Sequence, residues 1–166
     1  KNGLQNRNQI KTANGSQWLT VPVKQKLGQK IIETEVSHCN SWNRKHLESI
    51  RQNYGKAMAF NSYEQELECF YAKDWQQLSD LNIELIRTML KWLGINVEIR
   101  RSSQMKATGS ATDLVLNLCL EVGATYYLTG RGGMNYLRLD DFKKIDVNII
   151  NEKGELIIHN FPKSML

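Results

Sequence analysis

Residues 123–137 constrain the fold of this chain more than any other stretch. They read Gly-Ala-Thr-Tyr-Tyr-Leu-Thr-Gly-Arg-Gly-Gly-Met-Asn-Tyr-Leu. Gly123 is placed to stop a helix in the left-handed conformation. Residues 125–129 are a short apolar run, read as a strand. The run opens into Gly130-Arg131-Gly132-Gly133 and then the polar-aromatic pair Asn135-Tyr136. A strand that opens into glycines at its carboxyl end is where α/β proteins place ligands.

The segments around this stretch alternate. From residue 74 onward, helical and strand-like patterns follow one another: helix 74–93, strand 97–101, helix after Ser110, strand 125–129, helix 141–145, strand 147–150. That order predicts an α/β fold with a mostly parallel, Rossmann-like sheet and flanking helices. Residues 152–154, Glu-Lys-Gly, add a carboxyl-terminal β-hairpin with a second strand at 155–159. Right-handed crossovers would bring the ends of strands 97–101 and 125–129 to one edge. Residues 102–110 and 130–136 would then face one crevice.

The amino-terminal part is read more coarsely. Residues 1–17 are polar, with a turn at Asn14-Gly15. Strands are expected at 18–23 and 31–36, with Pro22 marking an edge or an end of pairing. Trp42, His46, Leu47, Ile50 and Tyr54 share one helical face, and Gly55 is placed to cap that helix in the left-handed conformation. A second helix is expected at 61–72. Over 74–93, Trp75, Leu78, Leu81, Leu85, Met89 and Trp92 or Leu93 form a stripe expected to be core.

The composition narrows the class. At 166 residues, 41% hydrophobic and 23% charged, the chain can bury a real core. No apolar run reaches the roughly 18 residues of a membrane span, and the polar first residues are not read as a signal peptide. Residue 1 is not Met, so the sequence is read as starting inside a longer protein. Cys39, Cys69 and Cys119 are scattered, which fits reduced structural thiols in a cytoplasmic protein. The three histidines lack metal-ligand spacing, so no metal site is predicted. Ten of the Lys and Arg residues but only three acidic ones fall in residues 1–60, against twelve and fourteen in 61–166. The basic excess suits an anionic small molecule. It carries no nucleic-acid signature: one aromatic among the early cations, and no helix-turn-helix, RRM or KH pattern.

The candidate ligand-binding residues follow. The glycine loop matches neither the dinucleotide fingerprint nor the P-loop. Its glycines can still bring backbone N–H groups to a phosphate or carboxylate, with Arg131 adding charge; a turn needing positive φ is the other reading. Ser110-Ala111-Thr112-Asp113 resembles a capping box at a helix start, where N–H groups and dipole favour an anion. Ser102, Ser103 and Thr112 would add hydroxyls, and Arg7 and Lys11 positive charge. His46 is the candidate acid/base, provided a carboxylate or carbonyl orients it. Asp140-Asp141 is read as capping the next helix.

These residues also resemble a known family. Gln5-Asn6-Arg7-Asn8-x-Ile10-Lys11, then Gly15-x-x-Trp18-Leu19-Thr20-Val21-Pro22-Val23, resembles the WbqC-like family. So do Trp42-x-x-Lys45-His46 leading to Tyr54, Ser102-Ser103, and the closing Gly123–Leu137 block, all in the family's order. The resemblance implies a bacterial cytoplasmic protein associated with O-antigen and surface-polysaccharide gene clusters. It implies transfer of an aminoacyl group such as glycine, an acyl group or a nucleotidyl group onto a sugar. The ligands implied are a nucleotide or other phosphate-bearing donor and a sugar acceptor. A non-catalytic binding or scaffold role in the assembly machinery is the alternative. The family's opening His-Gln-Pro-x-Tyr-Phe-Pro-Trp block and Asp-Asp-containing second strand are absent, and near its closing His-Pro-x-Tyr block stands only His159-Asn160-Phe161-Pro162. The 166 residues are therefore expected to be a single α/β domain lacking the family domain's upstream strands.

Overall fold

The structure, a computed structural model, describes residues 4–26, 28–130 and 132–158. They fall into two compact units, Lys1–Val97 and Glu98–Leu166. The first unit opens with a pair of strands that the hydropathy pattern hides. Arg7–Thr12 (β1) is polar throughout, yet it pairs antiparallel with Gly15–Thr20 (β2). The turn makes the pair: Thr12 faces Gly15 across Ala13 and Asn14, and Gly15 takes φ 113°, which costs glycine little. The strand predicted at 18–23 thus starts three residues earlier and stops before Pro22. At the open end, Val21 N–H donates to the Asn6 carbonyl at 2.8 Å and the Asn6 amide donates to the Val21 carbonyl at 2.9 Å.

A second antiparallel pair, Val23–Lys24 (β3) with Glu35–Val36 (β4), follows. Ile31–Glu33 is a 3-10 turn rather than part of a strand. Helices α1 (Trp42–Tyr54) and α2 (Asn61–Ala72) have the bounds that their periodicity predicts. Gly55 is different: at φ −60° it is right-handed, and Gly94 and Gly123, at 65° and 63°, are the left-handed stops. Helix α3 spans Leu78–Trp92 and starts four residues later than expected. The reason is a competing backbone partner. Val36 N–H donates to the Gln76 carbonyl and Leu78 N–H to the Thr34 carbonyl, each at 2.9 Å, so residues 76–78 lie extended along 34–36.

The core of this unit gathers Val21, Val36, Trp42, Phe70, Trp75, Leu78 and Leu81. The stripe on α3 is core only in its first turns. Met89 and Leu93 are 48% and 71% exposed.

In the second unit α4 (Ala111–Val122) leads to β5 (Tyr126–Thr129), then α5 (Leu139–Lys144), β6 (Asn148–Asn151) and β7 (Leu156–Ile158). The strand order is β5-β6-β7. β5 and β6 are parallel, and β6 and β7 form the expected antiparallel hairpin. Asn151 holds its turn, accepting from the N–H groups of Lys153 and Glu155 at 2.9 Å, with Gly154 at φ 77°. The expected mostly parallel Rossmann-like sheet is not formed. Among the described residues there are instead two antiparallel pairs and this mixed three-stranded sheet. Residues 97–101 supply no strand: the segment is irregular, Val97 is 57% exposed, and Glu98 and Arg100 pair with each other. Alternating patterns fix the order of elements, not their partners, and strand pairing is non-local.

Cys119, Leu137, Phe142, Val147 and Ile149 form the second core, with Phe142 and Ile149 wholly buried. Leu128, Ile150 and Leu156 are direct register partners on the opposite sheet face, where Leu128 is 62% and Leu156 46% exposed. Acidic Asp140 and Asp141 open α5 and Lys143 and Lys144 close it, in the sense the helix dipole favours. Among the described residues no helix is long and apolar enough to cross a membrane.

Candidate functional site

His46 sits one helical turn after Trp42 on α1, and the rings meet edge to face at 5.2 Å. Tyr71 of α2 closes on the same ring at 5.9 Å. Only 8% of His46 is exposed. Its Nε2 lies 3.2 Å from the Thr20 carbonyl at the end of β2. A carbonyl can only accept, so Nε2 carries the proton in this contact and the neutral ring keeps its lone pair on Nδ1. Burial lowers the imidazole below its ordinary range, and the bond to Thr20 offsets part of that effect. The ring is therefore neutral at pH 7 and oriented by a carbonyl, the condition set for it as a base. Burial also raises Tyr71 to about 12, so that phenol stays protonated.

His46 lines a cleft of about 320 Å³ between the β1–β2 hairpin and α1, with Trp18, Thr20, Pro22, Trp42, Lys45 and Ser49. Gln17 crosses to α1, its amide 3.3 Å from the Ser49 hydroxyl. Asn40, also lining the cleft, and Ser41 hold positive φ of 62° and 46° just before α1. Left-handed non-glycine residues are uncommon and tend to collect at functional sites.

Arg7 and Lys11 lie elsewhere. Strand alternation puts them with Gln9 on one hairpin face, across from Thr20, Trp18 and Ser16, while Gln17 and Leu19 occupy the face toward α1. The Arg7 guanidinium stacks over the Trp18 ring, 4.4 Å from its centroid. Lys11 is tied to α1 through its backbone, its N–H donating to the Tyr54 hydroxyl at 2.9 Å.

The other candidates belong to the second unit. Thr112 is fully buried, and its hydroxyl donates to the Tyr136 carbonyl at 3.0 Å while accepting from the Arg138 N–H at 3.2 Å. The start of α4 and the loop after β5 are thus joined, but by a hydroxyl already engaged in the fold. The capping box does not form. Ala111 stands at φ 45°, the Ser110 side chain makes no cap bond, and Asp113 pairs with Arg138. Arg138 also binds Asp141 at 2.7 Å and so links the starts of α4 and α5. Sequence spacing could have shown its i, i+3 partner Asp141, but not Asp113. Ser102 and Ser103 lie in a 3-10 turn, Ser102–Gln104.

The glycine loop itself is informative. Gly130, Gly132 and Gly133 are not in the positive-φ region, so the turn reading does not explain them. A Cβ at Gly133 would run into the Thr129 hydroxyl, whereas Gly130 and Gly132 face open space. Gly133–Asn135 forms a 3-10 turn, and Asn135 and Tyr136 are exposed. Arg131 and His159 lie outside the described residues. Of the cysteines only Cys119 is buried; Cys39 and Cys69 are exposed.

A family model described as the WbqC-like protein family matches residues 1–156. The chain belongs to the WbqC-like protein family. It is 31% identical over 152 residues to the uncharacterized protein Rv1507c of Mycobacterium tuberculosis, covering 90% of this chain and 65% of that protein. This WbqC-like chain therefore spans about two thirds, at 65%, of the length of the curated relative it matches. No solved structure matches it significantly.

Proposed function

We propose that this WbqC-like protein serves bacterial surface-polysaccharide biosynthesis by transferring an aminoacyl, acyl or nucleotidyl group from an anionic donor to a sugar. The observation that carries the reading is His46: a buried, neutral imidazole whose Nε2–H is held by the Thr20 carbonyl, beside Lys45 in an open cleft. In this role Nδ1 takes the proton of the acceptor hydroxyl as its oxygen attacks the donor's carbonyl carbon or phosphorus. The protonated ring then returns that proton to the leaving group. General acid–base help of this kind contributes about 10²–10⁴-fold. Within the second unit taken by itself, Gly130 and Gly132, which face open space and are not at positive φ, are the proposed backbone contacts of an anion. Calorimetry of the full-length protein with ATP, nucleotide-sugars and glycine tests donor binding, and His46→Gln should retain it while transfer falls at least about a hundredfold. Absence of binding to every anionic donor overturns the reading.

A scaffold role is the second reading, favoured by the Leu128–Ile150–Leu156 ladder on β5–β7, exposed at Leu128 and Leu156. Exposed apolar faces commonly mark protein contacts. If it holds, His46→Gln leaves surface glycan intact and Leu128→Ser removes a partner from pull-down.

A further inference from the structure

The face of the β1–β2 hairpin that carries Arg7, Gln9 and Lys11 adjoins the His46 cleft, which Trp18 and Thr20 also line, and its composition is specific. Arg7, Gln9 and Lys11 alternate along β1, and their register partners Thr20, Trp18 and Ser16 complete the face. Gln9, Lys11, Ser16, Trp18 and Thr20 are all exposed. Trp18 is 44% exposed, with the Arg7 guanidinium over its ring. No acidic residue occurs in the chain before Glu33, whereas six Lys and Arg residues do.

We propose that this face binds an anionic glycan. A pyranose ring presents C–H groups that pack on the exposed part of the indole, and hydroxyls that match the Gln9 amide and the Ser16 and Thr20 hydroxyls. Arg7 and Lys11 lie four residues apart, about 13 Å along the strand, and flank Trp18 with positive charge for carboxylates on neighbouring sugars. Stacking against Trp18 fixes the Arg7 guanidinium in advance, so less freedom is lost on binding. A nucleic acid fits less well, because single strands are held by several aromatic platforms in series and this face offers one. The inference rests on the sugar-directed reading above and adds a holding surface for polymer beside the cleft.

Calorimetry of the full chain with sodium polygalacturonate, neutral dextran and a single-stranded oligodeoxynucleotide tests it. Polygalacturonate should bind more tightly than dextran and lose affinity as salt screens the cations. Trp18→Ala and, separately, Lys11→Gln should each weaken it by about fivefold or more, roughly 1 kcal/mol. Lys11 contributes only its backbone N–H to the fold, so Lys11→Gln reports on binding even if Trp18→Ala loosens the hairpin. His46→Gln should leave polygalacturonate binding unchanged. No polygalacturonate binding, binding unaffected by both hairpin variants, or tighter binding of the oligonucleotide each overturns the proposal. Donor binding at the cleft with no glycan binding overturns this surface alone and leaves the transfer reading standing.

Discussion

At the scale of single residues, His46 joins stability to the chemistry proposed for it. Its folded pKa lies below the ordinary value of 6.5, mainly because burial disfavours the charged ring. Between that folded value and 6.5 the unfolded chain binds a proton that the folded chain does not. Stability is therefore fully present above about pH 6.5 and is lost as pH falls toward the folded pKa, with a limiting slope of about 1.4 kcal/mol per pH unit. Urea unfolding at pH 7.5 to 5 should show the wild-type losing more stability than His46→Gln over that interval; parallel losses would remove the buried neutral imidazole from the account. The glycines divide in the same residue-level way. Gly133→Ala should cost about 1–3 kcal/mol, because its Cβ meets Thr129, while Gly130→Ala and Gly132→Ala should stay within about 0.5 kcal/mol. Equal losses at all three, measured by thermal unfolding, would mean that the loop tolerates no side chain anywhere and would remove the sign that Gly130 and Gly132 serve a ligand. The sequence located His46 and this loop. It could not show the Thr20 carbonyl 26 residues away, nor Arg138 bound to Asp113.

Helices were the legible elements, because a helix bonds to itself and its periodicity and glycine stops are local. α1 and α2 have their predicted bounds for that reason. β1 was illegible: Arg-Asn-Gln-Ile-Lys-Thr shows no apolar alternation, since the hairpin is wet on one face and held by its turn. The parallel sheet failed differently, because the order of patterns does not say which strands pair, and residues 97–101 find no partner strand among the described residues. α3 shows how periodicity can mislead about burial. Leu81 and Met89 lie on one predicted stripe, yet Leu81 is 3% and Met89 48% exposed. Leu81→Ala should cost about 2–5 kcal/mol, and Met89→Ala no more than about 0.5 kcal/mol. Comparable losses in chemical denaturation would mean that the outer stripe is covered in solution.

For the whole molecule, the division into Lys1–Val97 and Glu98–Leu166 is the dominant fact. Each unit has its own core, one built around Trp42, Phe70, Trp75 and Leu78, the other around Phe142, Val147 and Ile149. The segment at the division offers little protection. Residues 95–100 form no helix or strand, Arg100 is exposed, and its charge is met by Glu98 two residues away. An exposed pair of this kind contributes little. Backbone that is exposed and outside regular structure is where proteases enter first. Brief trypsin treatment of the folded protein should therefore cut early at Arg100 or Arg101, before the many Lys and Arg sites on α1 and on the β1–β2 hairpin. Mass spectrometry should then find a fragment ending at one of those two residues that persists after the rest is degraded. The persistence matters more than the cut, because a core that is complete within one unit should survive separation from the other. If the first cuts instead fall within 42–92 the two cores depend on each other, and the division is one of contacts alone.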